Sequence, residues 1–456
     1  MGRRLPIRHV LDRDVLAAVL IVGLLAGIAA WNRVERLEWL GPDQIDHLGA
    51  EYDSIAQAIR QGRGFADPFR TESGPTAWMP PVLPAITALL YWLTGDDRQQ
   101  VVWIVYGLQL LVVTWTAWLV LRFARCQRIW WVGVATVIAF FCADFHALFQ
   151  ITHDTLLILA CVNGLWLGLC REWLPRCDWR VGAWGVFGGS VALVNPVVGA
   201  TWAVLTTWKL WPIRRRRASG DPDDRWSRRT IDRNRATQLA CAAVLSMIVV
   251  APWAIRNRLV LGRWVPIKSN AIYEIWQSLC LDTDGVLDMQ SIRKHPWLSA
   301  GAQRRAYVEK GEIGFLDSLK QPVWEKVTRD PWSVIERILN RWSAACLWYE
   351  PFFDDIGETP WLLIVKRVVF ALPLPSLLAI VLLGPDRLPR PVSAAIGIYV
   401  VYLIPYVLIS YYERYGAPLV GIKCLIVLAA AAVFRSQLFG SRSSSRSRGS
   451  TGSVTP

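Results

Sequence analysis

Apolar stretches recur along the whole chain, at 16–31, 101–121, 130–148, 155–170, 182–211, 238–255, 361–383, 392–410 and 417–434. Most approach the roughly 20 residues that a bilayer-crossing helix needs. The run at 182–211 is too long for one crossing and carries Asn195-Pro196 near its middle. A tight turn between two helices is predicted there, with one broken helix as the alternative. Residues 79–93 open on prolines and are then too short for a span, which predicts a re-entrant or surface-lying helix. The pattern reads as an all-α polytopic membrane protein of about ten transmembrane helices.

Charge then orients the helices. The net charge is +14, and the basic residues gather between apolar runs, in RFARCQR, REWLPRCDWR and IRRRRASGDPDDRWSRRTIDRNR. Cytoplasmic loops carry such an excess of Lys and Arg. The basic N-terminal segment continues past its apolar run into WNRVERLEWL without a small-x-small cleavage site, so it reads as a retained helix rather than a signal peptide. The expected protein is a multi-pass component of the cytoplasmic (inner) membrane with both termini cytoplasmic. Its parts are an N-terminal transmembrane module over 1–255 with a first outer loop at 32–100, and an outer, periplasmic domain of mixed character at 256–360. C-terminal helices at 361–434 and a basic, Ser-rich, disordered tail at 435–456 complete it. No basic face offers base-reading geometry, so nucleic acid is not an expected partner. The nine cysteines show no CxxC pair or zinc-like spacing, and most fall inside spans as small apolar filler. Cys280 and Cys346 are the ones expected outside, bridged or free.

The most informative stretch is 49–84, GAEYDSIAQAIRQGRGFADPFRTESGPTAWMPPVLP. Leu48, Tyr52, Ile55 and Ile59 recur at helical spacing, with Asp53, Gln57 and Arg60 on the opposite polar face. Glu51 sits beside the apolar stripe. Gly62 and Gly64 suit a helix end, and a Gly-Pro then a Pro-Pro-x-x-Pro run follows. The pattern is an acidic amphipathic helix and a stiff proline segment lying on a membrane surface.

Charged groups near membrane depth are expensive and are functional candidates when present. Glu51 is the first, against the plainer account of a solvated surface charge; Asp53, on the polar face, reads as such a charge. Asp46 and His47, just upstream, could cap the helix or join the site. Asp154, in ITHD at the mouth of a span, is the second candidate, against an N-cap carboxylate; His153 beside it reads as an interfacial residue. The third group is cationic: Arg256, Arg258, Arg263 and Lys268 in APWAIRNRLVLGRWVPIKSN, with Arg414 in YYERYGAP. Guanidinium groups on an outer face fit an anionic phosphate, or plain contact with lipid headgroups. No Gly-rich phosphate loop, HExxH, GxSxG or dinucleotide fingerprint is present, so nucleotide chemistry has no visible home.

The run from Gly49 to Pro84, with THD opening a span, APWAIRNRLVLGRWVPIKSN after another and ERYGAPL before the last, resembles the lipid-linked-sugar glycosyltransferases of the GT-C superfamily. It is most similar to bacterial aminoarabinose transferases and protein O-mannosyltransferases. The resemblance implies a GT-C-like fold, a polyprenyl-phosphate-sugar donor, and a lipid, glycan or protein acceptor beside membrane lipids. It also implies a catalytic carboxylate in the first outer loop and a second acid at the next, by position Glu51 and Asp154. Tyr52, His153, Arg256, Asn257, Arg414 and Tyr415 fall in the matching segments as substrate-binding candidates, with Asp46 just upstream of the first. Many members carry an Asp-Glu pair before the tyrosine, where this chain has Leu48 and Gly49; Asp46 therefore stays open as the base. No cofactor or metal ligand set is implied, and a divalent cation is left open. Rival readings are a polytopic lipid or glycan transporter, which would need midplane charges or an inverted repeat, and a non-catalytic envelope-assembly scaffold.

Overall fold

A computed structural model describes residues 12–34, 48–70, 72–151, 153–171, 179–210, 222–288, 291, 294–297, 301–348, 360–385 and 388–444. Asp46 and His47 lie outside the described residues, as do 445–456. The protein is mostly helical, and no strand forms among the described residues, including those of the outer segment expected to be mixed. Two isolated bridges, Ala66 with Pro75 and Val286 with Tyr411, are the sheet-like contacts recorded there.

Six helical stretches are long and apolar enough to cross a membrane: Arg13–Trp31, Arg98–Cys126, Arg233–Leu261, Trp361–Leu383, Arg390–Leu408 and Glu413–Leu438. The first belongs to α1 (Arg13–Val34) and the second is α4 (Arg98–Cys126); between them lie the short α2 (Ala50–Arg60) and α3 (Val82–Leu93). Next come α5 (Trp130–Ala143), a π-turn at His146–Gln150, and α6 (Thr155–Cys170), both helices apolar but shorter than a full crossing. Helices α7 (Trp179–Val194) and α8 (Pro196–Leu210) meet at Asn195. There the Asn195 Oδ1 accepts the amides of Val197 at 2.8 Å and Val198 at 3.3 Å. An Asn cap followed by proline in the first turn starts a new helix, so the run at 182–211 is a hairpin of two helices.

Helix α9 (Pro222–Leu261) has 40 residues, about 60 Å at 1.5 Å per residue and twice a hydrocarbon core of about 30 Å. Its first third is the basic stretch expected as a loop, so the helix extends beyond its apolar part at that end. Helix α7 packs on α9 through glycines: a Cβ on Gly185 or Gly189 would come within 2.6 Å of the Ala242 or Ser246 carbonyl oxygen. Small residues permit such backbone approach in membrane helices.

The outer segment contains α10 (Ala271–Trp276), a π-turn at Gln277–Leu281, α11 (Ala302–Arg329, interrupted at Gly311) and the amphipathic α12 (Pro331–Cys346). Then α13 (Pro360–Ala371) and α14 (Pro373–Leu383) make one span in two pieces, followed by α15 (Arg390–Leu408), a 3₁₀ segment Glu413–Leu419 and α16 (Val420–Ser444). The tail is thus helical as far as Ser444, past the start expected for disorder. Helix α16 is the most enclosed of the six candidate spans and packs against α4, α5, α14 and α15.

Two sets of buried charges inside this body are paired. Lys423 of α16 reaches Asp144, at the end of α5, at 3.2 Å with both side chains buried. At the start of α1, Asp14 accepts from Trp130 Nε1 at 2.8 Å and faces Arg125 at 2.7 Å, joining three helices at one level. Removing one member of a buried pair strands the other charge, at about 3–5 kcal/mol. Asp144→Asn is therefore expected to lower the thermal unfolding midpoint in detergent markedly, and adding Lys423→Met is expected to recover most of the loss. A single variant as stable as the parent protein would count against the pair's role.

Candidate functional site

Helix α2 is held from two directions. The Tyr52 hydroxyl donates to Asp154 Oδ2 at 3.0 Å, across to the mouth of α6. Asp154 occupies the N-cap position of α6 but makes no capping bond with its side chain; the carboxylate faces α2 instead. On the other side Asp53 is buried, accepting from the Tyr91 hydroxyl at 2.6 Å, Arg98 at 3.0 Å and Gln57 at 3.0 Å. Asp53 thus packs on α3 and the start of α4 while Gln57 and Arg60 beside it stay exposed, which corrects the reading of Asp53 as a solvated charge.

Glu51 lies between these anchors, largely sheltered, with His295 Nε2 3.5 Å from its Oε1. Burial raises the Glu51 pKa above its usual value, Arg414 and Lys268 nearby work against the rise, and Asp154 adds to it. Burial, then the Asp154 charge, also pushes the Tyr52 phenol well up, keeping it a donor. Burial lowers His295 to about 4, so its imidazole is neutral at pH 7. The Trp297 amide donates to His295 Nδ1 at 3.3 Å, which puts the ring proton on Nε2, the nitrogen facing Glu51. Behind the imidazole stands an aromatic cluster, Phe69, Trp78, Tyr273 and Tyr307.

The cations separate into two sets. Arg414, from the 3₁₀ segment, lies in electrostatic reach of Glu51, Tyr52, Asp154 and Tyr412. Its guanidinium sits 5.3 Å from the Tyr412 ring, and its buried Nε has no hydrogen-bond partner. Tyr415 stacks on Tyr406 at 4.4 Å and meets Tyr412 edge-on at 4.6 Å, forming an aromatic side to the same place. Arg256 does not join them. Its two Nη groups donate to the Thr76 and Phe65 carbonyls, each at 2.6 Å, closing the base of the 65–76 hairpin. Asn257 donates to the Val265 carbonyl at 2.8 Å and accepts from Arg256 at 3.0 Å. Both are scaffold residues here. Arg263 pairs with Asp317 at 2.7 Å, which leaves Lys268 as the member of that basic run that reaches Glu51.

The proline stretch is locked by a carboxylate that the sequence does not single out. Buried Glu312 accepts from the Ala77 amide at 2.9 Å, the Tyr307 hydroxyl at 2.8 Å and the Thr76 hydroxyl. His295 and Glu312 were both missed, because each is a single polar residue in an ordinary helical or loop context. Cys280 and Cys346 are free, one exposed and one buried. Among the described residues no group of three or more His, Cys, Asp or Glu side chains is placed to hold a metal ion. No family model matches the chain, and neither a curated protein nor a solved structure matches it.

Gly49 fixes the start of α2. Its φ is 77°, and a Cβ there would stand 2.7 Å from His153 Nδ1 and 2.9 Å from Tyr52 Cδ2. Gly49→Ala is expected to cost about 1–3 kcal/mol from backbone strain alone and to push Tyr52 off Asp154. The check is the thermal midpoint of the purified protein; an unchanged midpoint would mean that the close approach is not maintained.

Proposed function

We propose that the protein is a GT-C-like membrane glycosyltransferase that moves a sugar from a polyprenyl-phosphate donor to a hydroxyl of a lipid, glycan or protein acceptor. The observation that carries this reading is the meeting of two carboxylates, Glu51 and Asp154, with a guanidinium, Arg414, whose buried Nε is unpartnered. An orphan guanidinium donor in electrostatic reach of both acids suits a phosphate that leaves as negative charge develops. Glu51 takes the proton of the acceptor hydroxyl, and the acceptor oxygen bonds to the anomeric carbon. The bond from that carbon to the phosphate oxygen breaks, and its electron pair leaves on the polyprenyl phosphate, held by Arg414 with Lys268. One displacement inverts the anomeric centre. Asp154, through Tyr52, fixes α2 and faces the sugar or acceptor; His153 and Tyr415 wall the same place. On this reading Glu51, Tyr52, Asp154 and Arg414 take the roles that the resemblance implies, and Arg256 and Asn257 act from the scaffold. The ten-span topology, the inner-membrane setting and the cytoplasmic termini belong to the same reading.

The mid-body pair Asp144–Lys423 is the feature a transporter reading would use. It is mutually satisfied and buried, which favours a structural role over a carrier site.

The experiment is transfer of labelled sugar from a polyprenyl-phosphate donor in membranes, with expression matched. Glu51→Gln is expected to lower turnover by about 10²–10⁴-fold, the usual worth of a general base, with the thermal midpoint retained. Full activity in Glu51→Gln together with Asp154→Asn would remove the proposal. The base must be deprotonated to act, so activity rises with pH through the raised Glu51 pKa. Lys268→Gln removes a cation that favours the charged carboxylate, so the acid limb of kcat/KM is expected to move to higher pH. A limb that stays or moves down would separate Glu51 from that limb. For orientation, a reporter fused after Arg217 is expected to behave as cytoplasmic and one within 300–330 as external; the reverse at either place would overturn the map.

A further inference from the structure

Helix α12 is amphipathic in the opposite sense to an ordinary surface helix. Its polar side faces protein. Arg337 donates to the carbonyls of Ser278 at 2.9 Å and Asp282 at 2.7 Å, and Asn340 to that of Asp284 at 3.1 Å. Arg341, 1% exposed, donates to the Val407 and Leu408 carbonyls at 2.7 and 3.1 Å and to Ser278 Oγ at 2.5 Å. The apolar side faces outward: Trp332 is 75% exposed, Ile335 45%, Leu339 58% and Trp342 43%. These four recur at spacings of three and four, one continuous stripe along a helix of 16 residues, about 24 Å.

We infer that α12 lies along the water–lipid boundary, with the stripe Trp332, Ile335, Leu339 and Trp342 in the bilayer. Three features select lipid as the occupant. Arg341 closes the last carbonyls of α15, so α12 crosses at the level where a candidate span ends. Past the end of α12, the Arg367 guanidinium lies 3.9 Å above the Trp348 ring, fastening the helix to α13 at the start of another candidate span. There Trp361, Ile364 and Val368 are also exposed, an outward apolar surface of the same kind on a candidate span. Finally the stripe begins and ends on exposed tryptophans, Trp332 and Trp342, the side chain that favours the headgroup level. A 16-residue helix with charges on one face is too short and too polar to cross, but suits burial of its apolar face at the headgroup–acyl boundary. The inference is independent of the glycosyltransferase reading.

The test places the photoreactive residue p-benzoylphenylalanine at Leu339 of the full chain, reconstituted in vesicles of phosphatidylethanolamine and phosphatidylglycerol. Lys320, half exposed on α11, serves as the comparison site. After irradiation, mass spectrometry of the digest is expected to find lipid adducts on the α12 peptide and none on the α11 peptide. Ile335 is a second position should the Leu339 variant fail to accumulate. Absence of lipid adducts at both α12 positions, or adducts joining α12 to a second copy of the chain instead, would overturn the inference.

Discussion

The arrangement of the site depends on one constraint: α2 carries a carboxylate, Asp53, that is not in water. Three turns of helix are marginal alone, and this one is secured by buried polar bonds to separate parts of the chain. Asp53 fastens it to Tyr91 and Arg98, and Tyr52 fastens it to Asp154. Glu51 precedes both anchors by one or two residues, so its position follows from theirs. A carboxylate whose own partners were the anchors would be neutralised by them. Here the anchoring is done by its neighbours, and Glu51 keeps a raised pKa and a neutral imidazole for company.

The second support is the pinning of the proline stretch. Two charged side chains far along the chain close on its backbone: Arg256 on the Phe65 and Thr76 carbonyls, Glu312 on the Ala77 amide. Bonds from charged groups to backbone are stronger than neutral ones, typically about 1.5–3 kcal/mol each, and they immobilise a segment without regular structure. The reward is the aromatic cluster around Trp78, which is wholly buried and forms the wall behind His295. A loop, a span end and an outer helix are thereby one rigid support for one face of the site.

Much of this was legible in the sequence where the signal is local. Apolar periodicity located the helices, Asn195-Pro196 marked the break between α7 and α8, and the stripe of Tyr52, Ile55 and Ile59 located α2. What escaped was decided by distant partners. A carboxylate on a polar helical face reads as solvated unless one knows that Tyr91 and Arg98 will cover it, as they cover Asp53. Arg256 and Arg414 are the same residue type in similar surroundings in the sequence. They diverge because the carbonyls of Phe65 and Thr76 are within reach of one and no such acceptor meets the Nε of the other. Charge alternation placed the basic stretch before Gln238 between helices, yet it extends α9, since Arg and Lys are good helix formers and no Gly or Pro follows Pro222 until Pro252.

The unpartnered Nε of Arg414 is also an argument about depth. A buried guanidinium donor left unbonded costs free energy unless something outside the chain completes it. Arg414 follows the end of α15 by a few residues, and Arg341 of α12 caps that same end. If the outward stripe of α12 marks the headgroup level, then the end of α15, and Arg414 with it, stands near the plane of lipid phosphates. A phosphate carried on a membrane-anchored chain would arrive at that plane by lateral diffusion, with its tail already in the bilayer. On the membrane level inferred for α12, this depth of the arginine suits the lipid-borne phosphate of the proposed donor.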